Sequence, residues 1–214
     1  MKPDKFRMLA AAKAHQIPTG QAGLWDVKKF SLARDITLPR DGKLVTVPAG
    51  DYTQLWRKTE ATLHLDGELV MTDTPEELHT HLDFMLRARG HVLITGLGLG
   101  CVLRGCLVNP HVKSCTVIER DGNVLNLVRP WLPASLGRFQ IIQADATAYV
   151  TRLSPGIFDC AWHDVWADPD RGEPHLQVIH SGLLAECAPK VAFQGAWAFP
   201  RSQKRLWRRI IKLI

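Results

Sequence analysis

His91-Val-Leu-Ile-Thr-Gly-Leu-Gly-Leu-Gly100 decides how the chain folds. A short apolar run feeds directly into three glycines at alternate positions. A second apolar run, Cys115-Thr-Val-Ile-Glu119, ends in an acid. The order is strand, tight glycine turn, helix, then a strand with a carboxylate at its carboxyl end, and that order builds a nucleotide pocket. Glycine lets the backbone approach a ligand closely. A carboxylate about 20 residues on can accept hydrogen bonds from both hydroxyls of a ribose.

Two common nucleotides fit poorly. The dinucleotide fingerprint is G-x-G-x-x-G, whereas here the third glycine comes one residue early and Cys101 stands at the fingerprint position. No Lys-Ser or Lys-Thr follows the glycines, so a phosphate loop of the G-x-x-x-x-G-K-[ST] type is absent. The chain continues with Phe139-Gln-Ile-Ile-Gln-Ala-Asp145-Ala146 and Phe158-Asp-Cys-Ala-Trp-His-Asp164, two further strand-like runs that each end in an acid.

Over roughly residues 91–170 this succession resembles the class I S-adenosylmethionine-dependent methyltransferases. The resemblance implies that Gly96, Gly98 and Gly100 cradle the methionine part of the donor, that Glu119 holds the ribose, and that Asp145 with the Ala146 backbone meets the adenine. Many members carry an acid two residues before the first glycine, where this chain has Ile94. S-adenosylmethionine is the implied cofactor. Asp164, closing the fourth strand, is the candidate general base. Trp162 and Trp166 are candidates for the acceptor wall or for plain core packing. His163, Trp166 and Asp168 are grouped as acceptor-side contacts, although His163 points to the opposite face if the strand continues through it.

A narrower likeness covers roughly residues 43–170. The chain is similar to the aminopropyltransferases such as spermidine synthase, with an N-terminal β module, Leu65-Asp66-Gly67, Thr72, Glu77 to His81, Asn109-Pro110 and Asp164 followed by Asp168-Pro169. The positions that carry that family's chemistry differ. Leu99 stands where the family's glycine loop has an acid, Val70 where it has a glutamine, and Leu78-His79-Thr80 where it has Tyr-His-Glu or Tyr-Gln-Glu. A leucine cannot hold an ammonium group. Methyl transfer to a small-molecule acceptor is therefore the expected activity. Aminopropyl transfer from decarboxylated S-adenosylmethionine is the alternative, and a non-catalytic adenosyl-binding protein is a third.

The expected fold is α/β: a Rossmann-like, doubly wound, mainly parallel sheet. Strands are placed near 91–96, 114–119, 138–143, 157–163 and 190–198, and helices near 100–108, 121–131, 145–152 and 174–188. Little chain follows Pro200, so the sheet is expected to be curtailed after its fifth strand. Trp25–Leu32, Lys43–Val47 and Tyr52–Trp56 read as strands of a small antiparallel module. A hairpin about Asp66-Gly67 joins 61–65 to Glu68–Thr72. Residues 1–73 thus form an N-terminal segment and β module, and 74–214 the donor-binding domain. Thr74-Pro75 opens the helix between them, with Thr74 as its cap.

Hydrophobic residues make up 46% of the 214, ample for a core. No apolar run is long enough to span a bilayer, and the first residues lack the apolar core of a signal peptide. The five cysteines form no C-x-x-C pair and read as buried free thiols, pointing to the cytoplasm. His163, Asp164, Asp168, Asp170 and His175 cluster in sequence without a recognised ligand spacing, so no metal is expected. Net charge is +6, yet Arg201–Ile214 holds six Lys or Arg and no acid. The remaining basic residues balance the 21 acids. That tail reads as an amphipathic basic helix that packs as the last helix of the domain, meets a protein partner or second copy of the chain, or meets an anionic surface. A nucleic-acid partner is entertained through this tail alone.

Overall fold

The computed structural model describes residues 3–40, 43–59, 67–133, 137–166 and 172–197. The chain opens with α1 (Lys5–Ala12), capped by the Asp4 carboxylate, which accepts from the amides of Phe6 and Arg7. Then come β1 (Gly20–Ala22), β2 (Trp25–Leu32), β3 (Ile36–Arg40), β4 (Lys43–Val47), β5 (Gly50–Arg57) and β6 (Glu68–Thr72). β1, β2, β5 and β6 form an antiparallel sheet in that order, and β3 pairs with β4 as a separate ribbon. All four expected strand runs that are described are strands. The expected partner of Glu68–Thr72 was 61–65, which lies outside the described residues; the partner observed is β5. Neither β1 nor β3 was anticipated. β1 is three residues long, and β3 contains Pro39, a residue confined to sheet edges and bulges.

Helix α2 (Pro75–Arg87) leads into the second sheet. Thr74 occupies its cap position, but its hydroxyl bonds to the Thr72 hydroxyl at 2.9 Å and not to the helix. Five parallel strands follow: β7 (Gly90–Thr95), β8 (Val112–Glu119), β9 (Phe139–Gln143), β10 (Cys160–His163) and β11 (Phe193–Ala196). They alternate with α3 (Cys101–Leu107), α4 (Gly122–Val128), α5 (Ala146–Thr151) and α6 (Leu176–Cys187). The spatial order is β11-β10-β7-β8-β9. Strand order reverses at the β7–β10 junction, and ligands of such sheets bind beyond the carboxyl ends of the strands at that junction.

Alternation of side chains fills both faces of the sheet. Val92 and Ile94 of β7, Cys115 and Val117 of β8, and Cys160 and Trp162 of β10 pack with residues of α1, α2, α3 and α4. Leu93, Ile118 and Ala161 pack on the opposite side with Val150, Leu183 and Cys187 of α5 and α6. Each fully buried aliphatic side chain of this kind contributes about 1.5–3 kcal/mol. The result is the doubly wound α/β arrangement expected, preceded by the antiparallel module. All five cysteines are buried and unpaired. No helix among the described residues is long and apolar enough to cross a membrane. The residues on which the expected curtailment of the sheet would be judged, and the basic segment 201–214, lie outside the described residues.

Candidate functional site

A cavity of about 490 Å³ opens at the carboxyl ends of β7, β8, β9 and β10. Gly96 directly follows β7, with φ +90°. A β-carbon there would overlap the backbone carbonyl oxygen of Asp164, so only glycine lets the end of β10 pass this close. Gly98 also lines the cavity, and a β-carbon on it would sit 2.6 Å from Met71 Sδ. Gly100 does not line it. Its left-handed backbone starts α3 against Leu132, so its work is in shaping the turn.

Glu119 closes β8 and lines the cavity. Its Oε2 accepts from the Leu97 amide at 2.8 Å and its Oε1 from the Asp121 amide at 2.9 Å. Each carboxylate oxygen has two lone pairs, so capacity remains for a diol. Burial raises the pKa of Glu119, and the backbone amides of Asp121, Leu97 and Arg120 oppose the rise. Asp145 caps α5 through a 2.9 Å bond from the Ala148 amide and lines the cavity beside Ala146 and Thr147.

Asp164 follows β10, its amide bonded to Thr95 O at 2.8 Å. Its side chain is 22% exposed, through the cavity. Burial lifts it to about 7, with the Trp162 indole pulling down and Glu119 pushing up. Glu77 of α2 is a second buried acid in the wall. It accepts from the Thr72 amide at 2.8 Å and the Thr72 hydroxyl at 2.7 Å, and burial raises it to about 8. Six carboxylates, those of Glu77, Glu119, Asp121, Asp145, Asp164 and Glu173, line the cavity. Arg120, which pairs with Glu173, is the cationic residue among the described lining. Trp25, Trp166 and Trp197 supply apolar walls. A concave, mostly apolar site with a few carboxylates suits a cation with a flat aromatic part.

No family model matches the chain. It is 32% identical over 101 residues to the polyamine aminopropyltransferase of Shigella flexneri serotype 5b, over 42% of this chain and 35% of that protein. It is 31% identical over 88 residues to the polyamine aminopropyltransferase of Bacillus subtilis, over 39% and 32%. The chain spans about a third of the length of these curated relatives. Spermidine synthase from Thermotoga maritima matches 92% of this chain with 63% of its own, at TM-score 0.51 and 21% identity. A spermidine synthase in complex with the transition-state analogue AdoDATO matches 82% with 54%, at TM-score 0.50 and 20% identity. The fold is that of these spermidine synthase structures, a parallel sheet preceded by an antiparallel module.

Within that spermidine synthase-like layout, most residues singled out from the sequence converge. Gly96, Gly98, Glu119, Asp145, Ala146, Asp164 and Trp166 line one cavity. His163 does not. It is the last residue of β10 and fully buried, with Nδ1 3.0 Å from Thr95 Oγ1 and Nε2 3.3 Å from Gln194 Oε1. Strand alternation turns it away from the cavity, and both its nitrogens are engaged within the sheet. Asp168 lies outside the described residues. Leu99 is fully buried in the core, packed beneath Met71 and not part of the lining.

Three lining features escaped the sequence reading. Glu77 entered with the aminopropyltransferase likeness, beside Thr72, and was given no place in the site; Thr72, five residues earlier, is what holds it inward. Trp25 reaches the cavity from the N-terminal module, which no local pattern announces. Arg120 and Glu173 are 53 residues apart and meet only through the sheet order.

Proposed function

We propose that the chain binds S-adenosylmethionine in this cavity and transfers its methyl group to a small-molecule acceptor. Residues 74–214 hold the donor in this reading, and 1–73 complete the wall. The observation that carries it is the placement of Glu119 beside Gly96 and Gly98, with an acid-rich lining around them. The Gly96–Gly98 backbone has the room to lie along a ligand, Glu119 retains acceptor capacity, and the carboxylates complement a positive centre.

The bound donor would supply an alkyl group on a positively charged sulfur. The residues of the chain have little covalent work to do. They align the acceptor with the donor, which removes orientational entropy from the reaction step. Asp164, raised to about 7, is matched to take a proton from an acceptor that arrives protonated. Trp166 and the other indoles exclude water, which strengthens the electrostatic interactions inside. The observation favouring methyl transfer over the alternative is Leu99, whose apolar side chain is sealed in the core.

A second reading, aminopropyl transfer from decarboxylated S-adenosylmethionine, is favoured by the likeness to polyamine aminopropyltransferases and by the paired acids Glu77 and Asp164. Calorimetric titration with S-adenosylmethionine, its decarboxylated form and S-adenosylhomocysteine separates the two. Tighter binding of the carboxylated donor is expected. Tighter binding of the decarboxylated donor, together with spermidine formed from putrescine, would reverse the order of the readings. Absence of binding by all three would reject both.

A further inference from the structure

His81 of α2 is fully buried, and neither ring nitrogen has a hydrogen-bond partner among the described residues. Its Nε2 lies 3.7 Å from Asp164 Oδ2. Trp162 meets the ring edge-on, with centroids 5.5 Å apart at 83°, which restricts the ring plane. A buried imidazole with no partner is a rarity that calls for a reason. Glu77, one turn earlier on the same helix face, is held toward Thr72 through its Oε2 and makes no hydrogen bond to the ring. His81 is not among the lining residues, so it reaches the cavity through Asp164 alone.

We propose that His81 is a positioning residue for Asp164, donating its Nε2–H to one carboxylate oxygen and leaving the other for the acceptor. This rests on the reading of Asp164 as the acceptor-side base. Burial holds the ring neutral, with its pKa lowered to about 4. A neutral imidazole carries one N–H, and the adjacent carboxylate selects the Nε2–H tautomer. Among the described residues, the ionisable groups around Asp164 are Glu77 and His81 from α2, Cys101 from α3 and Glu119 from the end of β8. Burial and the Glu119 charge oppose its ionisation, while the Cys101 thiol is held neutral by its own burial. The Trp162 indole already favours the charged carboxylate, and the imidazole N–H adds a second contact that does so. A gap of 3.7 Å is longer than a hydrogen bond. Loss of the Asp164 proton draws the two groups together, so the contact tightens when the base becomes competent.

The test uses the ligand-free, full-length protein labelled with nitrogen-15 histidine. The His81 signals are assigned by their disappearance in His81→Gln or, should that variant not fold, in His81→Phe. The expected result is a neutral Nε2–H ring whose shifts move in one step near pH 7, a step missing from Asp164→Asn. Carbon-13 observation of the Asp164 carboxyl gives an independent readout. Its midpoint should rise by about one pH unit in His81→Phe, which lacks the donor, and stay near the parent value in His81→Gln, which keeps an N–H. An Nδ1–H tautomer, a flat titration, a step that survives in Asp164→Asn, or an unmoved midpoint in His81→Phe would overturn the proposal. No donor or acceptor is needed, so a failure here is distinct from a failure to bind S-adenosylmethionine.

Discussion

The indole Nε1 of Trp25 donates a 2.7 Å hydrogen bond to Asp121 Oδ2, joining residues 96 apart in sequence. The other oxygen of Asp121 caps α4 through the Asn123 amide at 2.9 Å. One carboxylate therefore ties the antiparallel module to the helix that follows the Glu119 strand. Trp25→Phe keeps most of the apolar wall and removes the donor. Because the lost bond is to a charged acceptor, about 1.5–3 kcal/mol of stability should go with it. Urea unfolding measures the loss, and faster amide exchange at Asn123 should accompany it.

Glu119→Gln tests donor binding with a near-isosteric side chain. The amide keeps one acceptor oxygen and loses the charge, leaving the Leu97 and Asp121 amides to compete for it. Weakening of S-adenosylmethionine binding by at least tenfold is expected, since charge-assisted hydrogen bonds are worth about 1.5–3 kcal/mol each. Calorimetry on a variant shown to be folded by circular dichroism is the measurement. Unchanged affinity would remove Glu119 from the ribose site.

Gly96→Ala should cost at least about 2 kcal/mol, from overpacking and from the left-handed backbone together. The added methyl group overlaps the Asp164 carbonyl, and φ is +90°. Chemical denaturation gives the cost, and a full-length variant as stable as the parent would show that the end of β10 is free to move.

Stability should fall as pH rises from about 6.5 to 8. Asp164 and Glu77 have folded pKa values raised to about 7 and about 8. In that window the folded state binds more protons than the unfolded chain, so their contribution is full at low pH and is lost as pH rises through the folded values. His81 and His163, lowered to about 4, act with the opposite sign. Their contribution is present above the unfolded value near 6.5 and is lost as pH falls toward 4, so it is nearly flat over the window. Asp164→Asn and Glu77→Gln should each flatten the decline in urea unfolding between pH 6.5 and 8. A cationic donor favours the ionised acids, so its binding at pH 7 should release protons. Calorimetry in buffers of different ionisation enthalpy detects them.

The parallel sheet was legible because each of its elements has a local signature. Val92-Leu-Ile runs into glycine, Thr74-Pro75 precedes a helix, and four strands end beside an acid or a glycine. The antiparallel module was legible only in part. Gly20–Ala22 is too short to show alternation, and Pro39 argues against a strand that nonetheless pairs with β4. In the site, residues at strand ends were found because position along a strand fixes where they emerge. Glu77 and His81 were not, because a helix face has meaning only once its neighbours are known. His79 and His81, two apart on α2, part company: His79 is exposed and bonded to Pro75 O at 2.5 Å, while His81 is sealed inside. His163 was grouped with the acceptor contacts for its nearness to Asp164 in sequence, which in a strand means the opposite face.

The strand order also sets when the cavity can come into being. β7 is central, and its partner on one side, β8, is the next strand in the chain. Its partner on the other side is β10, and the bond from the His91 amide to the Asp159 carboxylate spans 68 residues. Closing so long a loop is slow compared with local pairing. During folding the glycine turn and Glu119 can meet early, while Asp164 and the Gly96 contact wait for the fourth strand. A half-folded chain therefore presents Glu119 without Asp164, and under the proposed donor-binding role, donor capture becomes a report on completed topology.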